Sequence, residues 1–282
     1  MSINNSRLFQ LFKYAVYAML ALNIYWFWRE EFLAATVQFP NGINLSTLID
    51  GYAATIDTAA WVVLLLMFEL ETYVLEDHHY SRTVTWTLHI VRVLCYSFIV
   101  YAFYGYIVNL TFLLQASQLG GVSDLCSLVG NGWSYAIDID EYTQITAANC
   151  ATFSDAGTFL RFDGIYAVVD ADGFGAIKNL AWIDVINSAV WLLVVLILEI
   201  DVWLQERNRL EGAALRISNA FKVVFYGTLL FTATFWGIKG DFVDFWDAFL
   251  WLVAFVFIEL NVFEWRQEVN ESAAQSQFTS SS

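Results

Sequence analysis

Three glutamates and three basic residues recur at matching positions within apolar stretches of the chain. Each glutamate follows a tryptophan by eight residues, and each base precedes a tyrosine by four. A charge inside a membrane costs at least about 2.5 kcal/mol, so charges in such stretches must be paired or hydrated. The six residues are Glu69, Glu199, Glu259, Lys13, Arg92 and Lys222.

Two kinds of chemistry fit this pattern. In the first, the glutamates face a common axis and form an acidic ring that binds a small cation or passes protons, a device known from cation channels. In the second, each base forms a structural ion pair with the glutamate of its own helical hairpin, and apolar side chains fill the centre. Either way, the predicted pairs are Lys13 with Glu69, Arg92 with Glu199 and Lys222 with Glu259.

The composition indicates that a lipid bilayer surrounds the elements that carry these residues. Of 282 residues, 59% are hydrophobic, 18% aromatic and only 15% charged. An ordinary soluble domain is about half apolar and a quarter charged, so a water-soluble protein is excluded. The formal charge of -15 also excludes nucleic acid as a partner, because a phosphate backbone would be repelled.

Six apolar stretches are long enough to cross a hydrocarbon core, which takes about 20 helical residues. The first could be mistaken for a secretory signal, but tryptophans flank it instead of a small-residue cleavage site. We therefore predict a polytopic all-α membrane protein. The spans run from Leu8 to Trp28, Ala53 to Tyr73, Thr85 to Leu114, Ala181 to Leu204, Ile217 to Ile238 and Val243 to Glu264.

The even-numbered spans superimpose without gaps, which indicates an internal repeat. Each has a polar residue, then a tryptophan four residues later, then a glutamate, then a second polar residue two further on. All hairpins start and end on the same side, so we predict three parallel helical-hairpin repeats in a pseudo-threefold bundle. The tryptophans are expected to pack or anchor the helices. The members are Asp57, Trp61, Glu69 and Glu71; Asn187, Trp191, Glu199 and Asp201; and Asp247, Trp251, Glu259 and Asn261.

Basic residues place both termini in the cytoplasm, because Lys and Arg near helix ends favour that side. Nine of the thirteen lie on inner segments if the N-terminus is inside. We predict a bacterial inner membrane location and a strongly acidic outer face. The predicted parts are the first hairpin and third span (1–114), an extracytoplasmic loop domain (115–180), spans four to six (181–265) and a disordered cytoplasmic tail (266–282).

The predicted loop domain holds the only cysteines outside the apolar spans, Cys126 and Cys150. In an oxidising outer compartment such a pair forms a disulfide, worth about 3 kcal/mol in the chain-entropy picture. The loop is too short to bury much core alone, so it needs support from the helices. Cys95, in an apolar span, is interpreted as a small core residue.

Two weaker patterns suggest metal or cofactor binding, although no cofactor is predicted. His78, His79 and His89 cluster at one predicted inner corner, where they would hold a metal or a haem. Their ordinary interpretation is as interfacial polar residues. Asp170 and Asp172 open a segment like an oxygen-rich Ca²⁺ loop, but the later ligands are missing, so a solvated turn is favoured.

Hydrolytic, redox and nucleotide-binding motifs are absent from the sequence, so no enzyme is predicted. The leading hypothesis is a channel or transporter for a small cation or proton, using the repeated acids and bases. The alternative is a non-catalytic structural or accessory subunit of a larger membrane complex, with other membrane subunits or a second copy as partner.

Overall fold

The structure is a computed structural model that describes residues 3–45, 47–71, 81–154, 157–207, 212–239, 241–255 and 257. Its internal contacts divide the chain into two compact units. One is Asn23–Thr232, and the other combines Met1–Leu22 with Ala233–Ser282. The helices are α1 (Ile3–Gln38), α2 (Leu48–Gly51), α3 (Ala53–Glu69), α4 (Arg82–Leu113), α5 (Ala171–Glu206), α6 (Ala213–Lys239) and α7 (242–255).

Two helices extend well beyond the predicted spans. Helix α1 continues past Trp28 to Gln38, and α5 begins at Ala171 rather than near Ala181. Asp170 caps the start of α5, because its Oδ1 accepts a hydrogen bond of 2.6 Å from the backbone N–H of Gly173. The segment predicted as a turn is therefore the first turn of a helix, and the predicted domain 115–180 includes that start.

Three of the described helices are long and apolar enough to cross a membrane: α4, α5 and α6. They correspond to the third, fourth and fifth predicted spans. Helix α3 has 17 residues, and α7 is described only over 242–255. Membrane association is therefore supported by length and composition, whereas six spans remain a prediction.

The segment between α4 and α5, called the outer domain after its predicted side of the membrane, contains a five-stranded sheet, which the all-α prediction did not include. The strand order is β1-β4-β5-β2-β3, with β2 parallel to β5 and the other pairs antiparallel. Each strand has two to four residues, too few for an alternating pattern to be recognised in the sequence. The strands are β1 (Ser117–Gln118), β2 (Ser134–Ala136), β3 (Tyr142–Gln144), β4 (Phe159–Arg161) and β5 (Ala167–Asp170).

The predicted disulfide between Cys126 and Cys150 is present, with the two Cα atoms 4.9 Å apart. It lies beside a core in which Phe159, Phe162 and Val168 are at most 1% exposed. The helices contribute to the same core, through Leu110 and Leu113 of α4 and Ile177 and Ala181 of α5. The sheet domain is thus built on the ends of α4 and α5, as its short length requires.

The connection between α1 and α3 folds back onto α4. The segment Pro40-Asn41-Gly42 forms a turn, in which the N–H of Gly42 donates to the carbonyl of Phe39 at 2.9 Å. Helix α2 and the start of α3 then pack on α4 at Gly105. A Cβ there would lie 3.0 Å from Ala53 and Ile49, so only glycine allows this close approach without a shift.

In the unit formed by the two terminal segments, aromatic rings join α1 to the C-terminal segment. The Phe257 ring meets Phe9 edge to face at 5.1 Å and Phe12 at 5.6 Å. Helix α6 ends at Lys239, and α7 begins at residue 242 after a tight turn in which the N–H of Asp241 donates to the carbonyl of Trp236.

Candidate functional site

The predicted charged positions lie on five different helices, except for one that falls outside the described residues. Lys13 on α1 is 3% exposed and Glu69 at the end of α3 is 7% exposed. Arg92 on α4 and Lys222 on α6 are partly buried, whereas Glu199 on α5 is exposed. Glu259 lies outside the described residues.

Arg92 forms its ion pair with Glu71, not with the predicted partner Glu199. Its Nη2 donates to both carboxylate oxygens of Glu71, at 2.9 and 2.6 Å. The pair is partly exposed, with 35% of the arginine and 24% of the glutamate side chain accessible. It links α4 to the end of α3, so it joins two successive hairpins rather than the two helices of one.

Lys222 makes the equivalent contact with Asp201. The Nζ–Oδ2 distance is 2.7 Å, and the side chains are 18% and 5% exposed. Ser218, one turn earlier on α6, also donates to Asp201 Oδ2, at 2.7 Å. This pair again joins the second helix of one predicted hairpin to the first helix of the next.

The two ion pairs share a spacing that the sequence analysis did not use. Glu71 and Arg92 are separated by 21 residues, as are Asp201 and Lys222. Glu71 and Asp201 are the second polar positions of the repeat, two residues after the glutamates to which the ion pairs were assigned. An acid followed by a base 21 residues later was therefore the signal that could have identified both pairs.

Glu199 has a different partner on the other side of α5. The hydroxyl of Tyr96, on α4, donates to Glu199 Oε1 at 3.0 Å. Tyr96 is the tyrosine of the predicted base-tyrosine pattern, four residues after Arg92. Lys13 and Glu69 belong to different compact units, and their pairing remains a prediction, as does that of Lys222 with Glu259.

Helix geometry explains why Glu199 and Asp201 have partners on different helices. Successive residues on an α-helix differ by about 100° in direction, so Glu199 and Asp201 point about 160° apart, toward opposite flanks. Glu199 meets α4 on one flank, and Asp201 meets α6 on the other. A base on α6 reaches only the flank that carries Asp201.

The repeated tryptophan lies between these two flanks. Trp191 is eight residues before Glu199 and ten before Asp201, which places it about 80° from each. Its ring centroid is 6.0 Å from that of Trp61, the equivalent residue of α3. Trp61, Trp191 and Trp251 are 9%, 7% and 6% exposed, in agreement with the predicted packing role.

The polar residues one turn before Trp61 and Trp191 contact the helix that carries the next base. Thr232 on α6 donates to Asn187 Oδ1 at 3.0 Å, and the Tyr106 hydroxyl on α4 lies 3.5 Å from Asp57 Oδ2. These contacts and the ion pairs join the same two helix pairs, α5 with α6 and α3 with α4. Each of these two helix pairs is thus held together by polar contacts at two positions along the helices.

A carboxylate that the sequence analysis did not select caps helix α3. Glu31 of α1 is 8% exposed and accepts hydrogen bonds from the N–H groups of Ala54 and Thr55 at 2.7 and 3.0 Å and from the Thr55 hydroxyl at 2.6 Å. These N–H groups have no partner within their own helix. Burial raises the Glu31 pKa to about 8, although the hydrogen bonds favour the charged form.

The weaker metal predictions gain no geometric support. Asp170 uses both carboxylate oxygens within the fold, accepting from Gly173 N–H and from the Tyr135 hydroxyl at 2.8 Å. Burial, followed by this hydrogen bond, raises the Tyr135 pKa to about 12. Asp172, in the first turn of α5, is exposed.

His89 is exposed on α4, and His78 and His79 lie outside the described residues. In the part of the chain that the structure describes, no group of three or more His, Cys, Asp or Glu side chains could hold a metal ion. Cys95 is buried, as predicted for a core residue. Comparisons with models of known protein families, with curated proteins and with solved structures found no match to this chain.

Proposed function

We propose that the protein is a structural or accessory subunit of a membrane protein complex, which holds an acidic, disulfide-bonded domain at the outer membrane surface. Six spans in three hairpins, cytoplasmic termini and a bacterial inner membrane are parts of this proposal. The repeat and the distribution of basic residues support the arrangement of the spans. The proposed function rests on one observation: the two ion pairs lie at equivalent positions of the repeat.

Both ion pairs connect neighbouring helices around the bundle. In each, a base near the start of one helix binds an acid near the end of the helix before it, at the same spacing of 21 residues. A permeation pathway needs ionisable groups that face a water-filled cavity. Charges that are paired with one another between neighbouring helices instead hold the helices together, which favours the structural role.

The tryptophans support the same conclusion. The arc between the two charged flanks of α5 carries Trp191, whose ring packs near Trp61 of α3. Aromatic rings, rather than carboxylates, therefore meet between these two helices. Glu199 lies on a flank of α5, where it accepts a hydrogen bond from Tyr96 of α4.

The outer domain is the part best suited to meet another subunit. Its core is fused to α4 and α5 through Leu113 and Ile177, so the helices hold it firmly in place. The side chain of Gln38 fastens it further to α1 by donating to the carbonyl of Ile139 at 2.9 Å. A rigid, acidic surface presented in this way fits a partner with a basic extracytoplasmic face.

The first experiment asks whether a partner accompanies the protein. The chain is purified from its native membrane in mild detergent, and native mass spectrometry measures the composition. We expect one membrane protein in fixed stoichiometry, lost after Cys126→Ser with Cys150→Ser but retained after Cys95→Ser. A chain that is always recovered alone contradicts the proposal.

A second candidate function, movement of a proton or small cation, is favoured by the Tyr96–Glu199 hydrogen bond. A phenol next to a carboxylate can relay a proton. Proton and K⁺ flux in liposomes separates the two functions. The structural role predicts no flux above that of protein-free liposomes. Flux that is lost in Glu199→Gln but kept in the matched variant Asp163→Asn would establish transport and refute the structural proposal.

A further inference from the structure

A cavity of about 130 Å³ lies where the end of α1, helix α2 and the last turns of α4 meet the loop before β3. All the elements around it belong to the unit Asn23–Thr232. None of the ion-pair residues is part of it, whereas Leu113, Gln38 and Ile139, which hold the outer domain on the helices, contribute to its wall. Its lining includes Gln38, Phe39, Asp50, Asn109, Phe112 and Tyr142.

The polar groups of the cavity are mainly hydrogen-bond acceptors. Asp50 contributes a half-buried carboxylate and Asn109 an amide, and within the described ranges neither side chain has a hydrogen-bond or ion-pair partner. Gln38 uses its amide nitrogen to donate to the Ile139 carbonyl and, at 3.1 Å, to the Tyr142 hydroxyl. Its amide oxygen therefore remains as a further acceptor.

The remainder of the wall is carbon, including the rings of Phe39, Phe112 and Tyr142 and the side chain of Val108. Aromatic rings attract organic cations, and an apolar wall favours a ligand that carries some carbon. One carboxylate is too few for a Ca²⁺ or Mg²⁺ site, which needs several oxygen ligands. Burial raises the pKa of Asp50, because a carboxylate removed from water lacks compensation for its charge.

We propose that this cavity binds a primary ammonium group. The Asp50 carboxylate pairs with the positive charge, the amide oxygens of Asn109 and Gln38 accept N–H hydrogen bonds, and the aromatic rings cover the attached carbon atoms. Three N–H donors of an ammonium match three acceptors of the wall. The net charge of -15 helps to attract such a cation.

The size of the cavity limits the ligand to a small group. Pockets for drug-sized ligands measure roughly 300–1,000 Å³, well above the 130 Å³ found here. A short alkylammonium fits this limit. The same chemistry has two sources at an outer membrane surface, a free amine in solution or the ethanolamine headgroup of a lipid.

The free amine is tested on the full chain in detergent, with propylammonium as the probe and 1-propanol as its neutral counterpart. Saturation-transfer NMR measures binding. We expect saturable binding of propylammonium only, and a dissociation constant at least about tenfold weaker after Asp50→Asn, because a charge-assisted contact is lost. The matched variant Asp163→Asn, an exposed carboxylate of the outer domain, should bind as the wild type does.

The lipid source is tested by competition in nanodiscs. Phosphatidylethanolamine and phosphatidylcholine have the same net charge, but only the first carries N–H donors. If the headgroup occupies the cavity, propylammonium binds more weakly in phosphatidylethanolamine than in phosphatidylcholine, and Asp50→Asn removes the difference. Equal binding in both lipids, still dependent on Asp50, identifies the free amine as the ligand.

Loss of folding is separated from loss of binding by melting each variant. Asn109→Val removes an acceptor without touching the charge and should weaken binding while the melting temperature stays unchanged. The proposal is overturned if propylammonium does not bind the wild type saturably, if 1-propanol binds equally well, or if a folded Asp50→Asn variant binds as the wild type does.

Discussion

The outer domain and helix α6 differ in the side chains that they bury and expose. In the domain, Phe159 is 1% exposed and Val168 is fully buried. In α6, Val223 is 73% exposed and Phe231 61%, whereas Ser218 is 4% exposed and Thr232 is fully buried. The domain follows the rule for water-soluble proteins, while α6 leaves large apolar side chains outside and buries Ser218 and Thr232 beside Leu229 and Trp236. This contrast is the expected one if lipid surrounds α6 and water surrounds the domain.

The largest expected effect comes from removing one phenylalanine from each region. Phe159→Ala should destabilise the outer domain by about 3–5 kcal/mol, because it deletes a ring from a packed core. The matched variant Phe231→Ala should change stability by less than about 0.5 kcal/mol, because its exposed ring is not part of a packed core. Hydrogen exchange in a detergent micelle measures both. Equal losses of stability in the two variants would contradict the difference in burial between the outer domain and α6.

Next in size is the disulfide, which only the outer domain has among the described residues. Reduction of Cys126–Cys150, or its replacement by serines, should cost the domain about 3 kcal/mol by freeing the unfolded chain. Protease sensitivity of the 115–170 segment should rise, while the helices α4 to α6 stay protected. Loss of protection in α6 as well would mean that the two regions unfold as one unit.

The ion pairs are expected to have smaller effects, and they test what holds the helices together. Lys222→Met leaves Asp201, whose side chain is 5% exposed, without its cation and should cost about 1–3 kcal/mol. Arg92→Met should cost less, because water reaches 24% of the Glu71 side chain. Melting temperatures measured in detergent show which of the two variants loses more stability.

A double variant sharpens this prediction. Lys222→Met with Asp201→Leu removes both charges, so no uncompensated carboxylate remains, and much of the lost stability should return. If the double variant is less stable than Lys222→Met alone, the Lys222–Asp201 pair contributes more to stability than the neutralisation of one charge by the other.

Much of the helical framework could be predicted from the sequence, because membrane length and hydrophobicity are strong signals. The start of α5 could not, since the segment from Asp170 to Gly175 contains residues typical of turns. The side chain of Asp170 in fact replaces the missing helical partner of Gly173 N–H. In a turn and at a helix cap alike, an Asp carboxylate accepts a hydrogen bond from a nearby backbone N–H. Only the residues that follow in α5 show that this Asp begins a helix.

The repeat identified Arg92 and Lys222 but not the acids that they contact. Arg92 pairs with Glu71 at the end of α3 instead of Glu199 of α5, and Lys222 contacts Asp201, while Glu259 lies outside the described residues. Spacing along one hairpin does not say which neighbouring helix an acid meets, because Glu199 and Asp201 point about 160° apart around α5. Glu31 was missed for another reason: it has no counterpart in the repeat, and its role depends on α1 extending beyond Trp28.

The last prediction is a pH slope at the junction of α1 and α3, which is small within any one pH unit. Burial raises the pKa of Glu31 to about 8 from 4.5, and repulsion from Asp140 adds to this. The folded state therefore holds a proton that the unfolded chain releases between these values, so stability falls as pH rises from about 4.5 to about 8. A difference of one bound proton changes the free energy of unfolding by at most about 1.4 kcal/mol per pH unit. Below pH 4.5 and above pH 8 the contribution of Glu31 to the slope is flat.

Glu31→Gln tests this slope, because it keeps an oxygen that can cap α3 but cannot ionise. Melting temperatures between pH 4 and 9 should converge for the two proteins at low pH, and the wild type should lose stability relative to Gln as pH rises. The slope reports on this junction, since no acid is buried among the described residues of the outer domain. A wild type that gains stability over the variant with rising pH would mean that the three hydrogen bonds outweigh burial and that Glu31 caps α3 as a carboxylate.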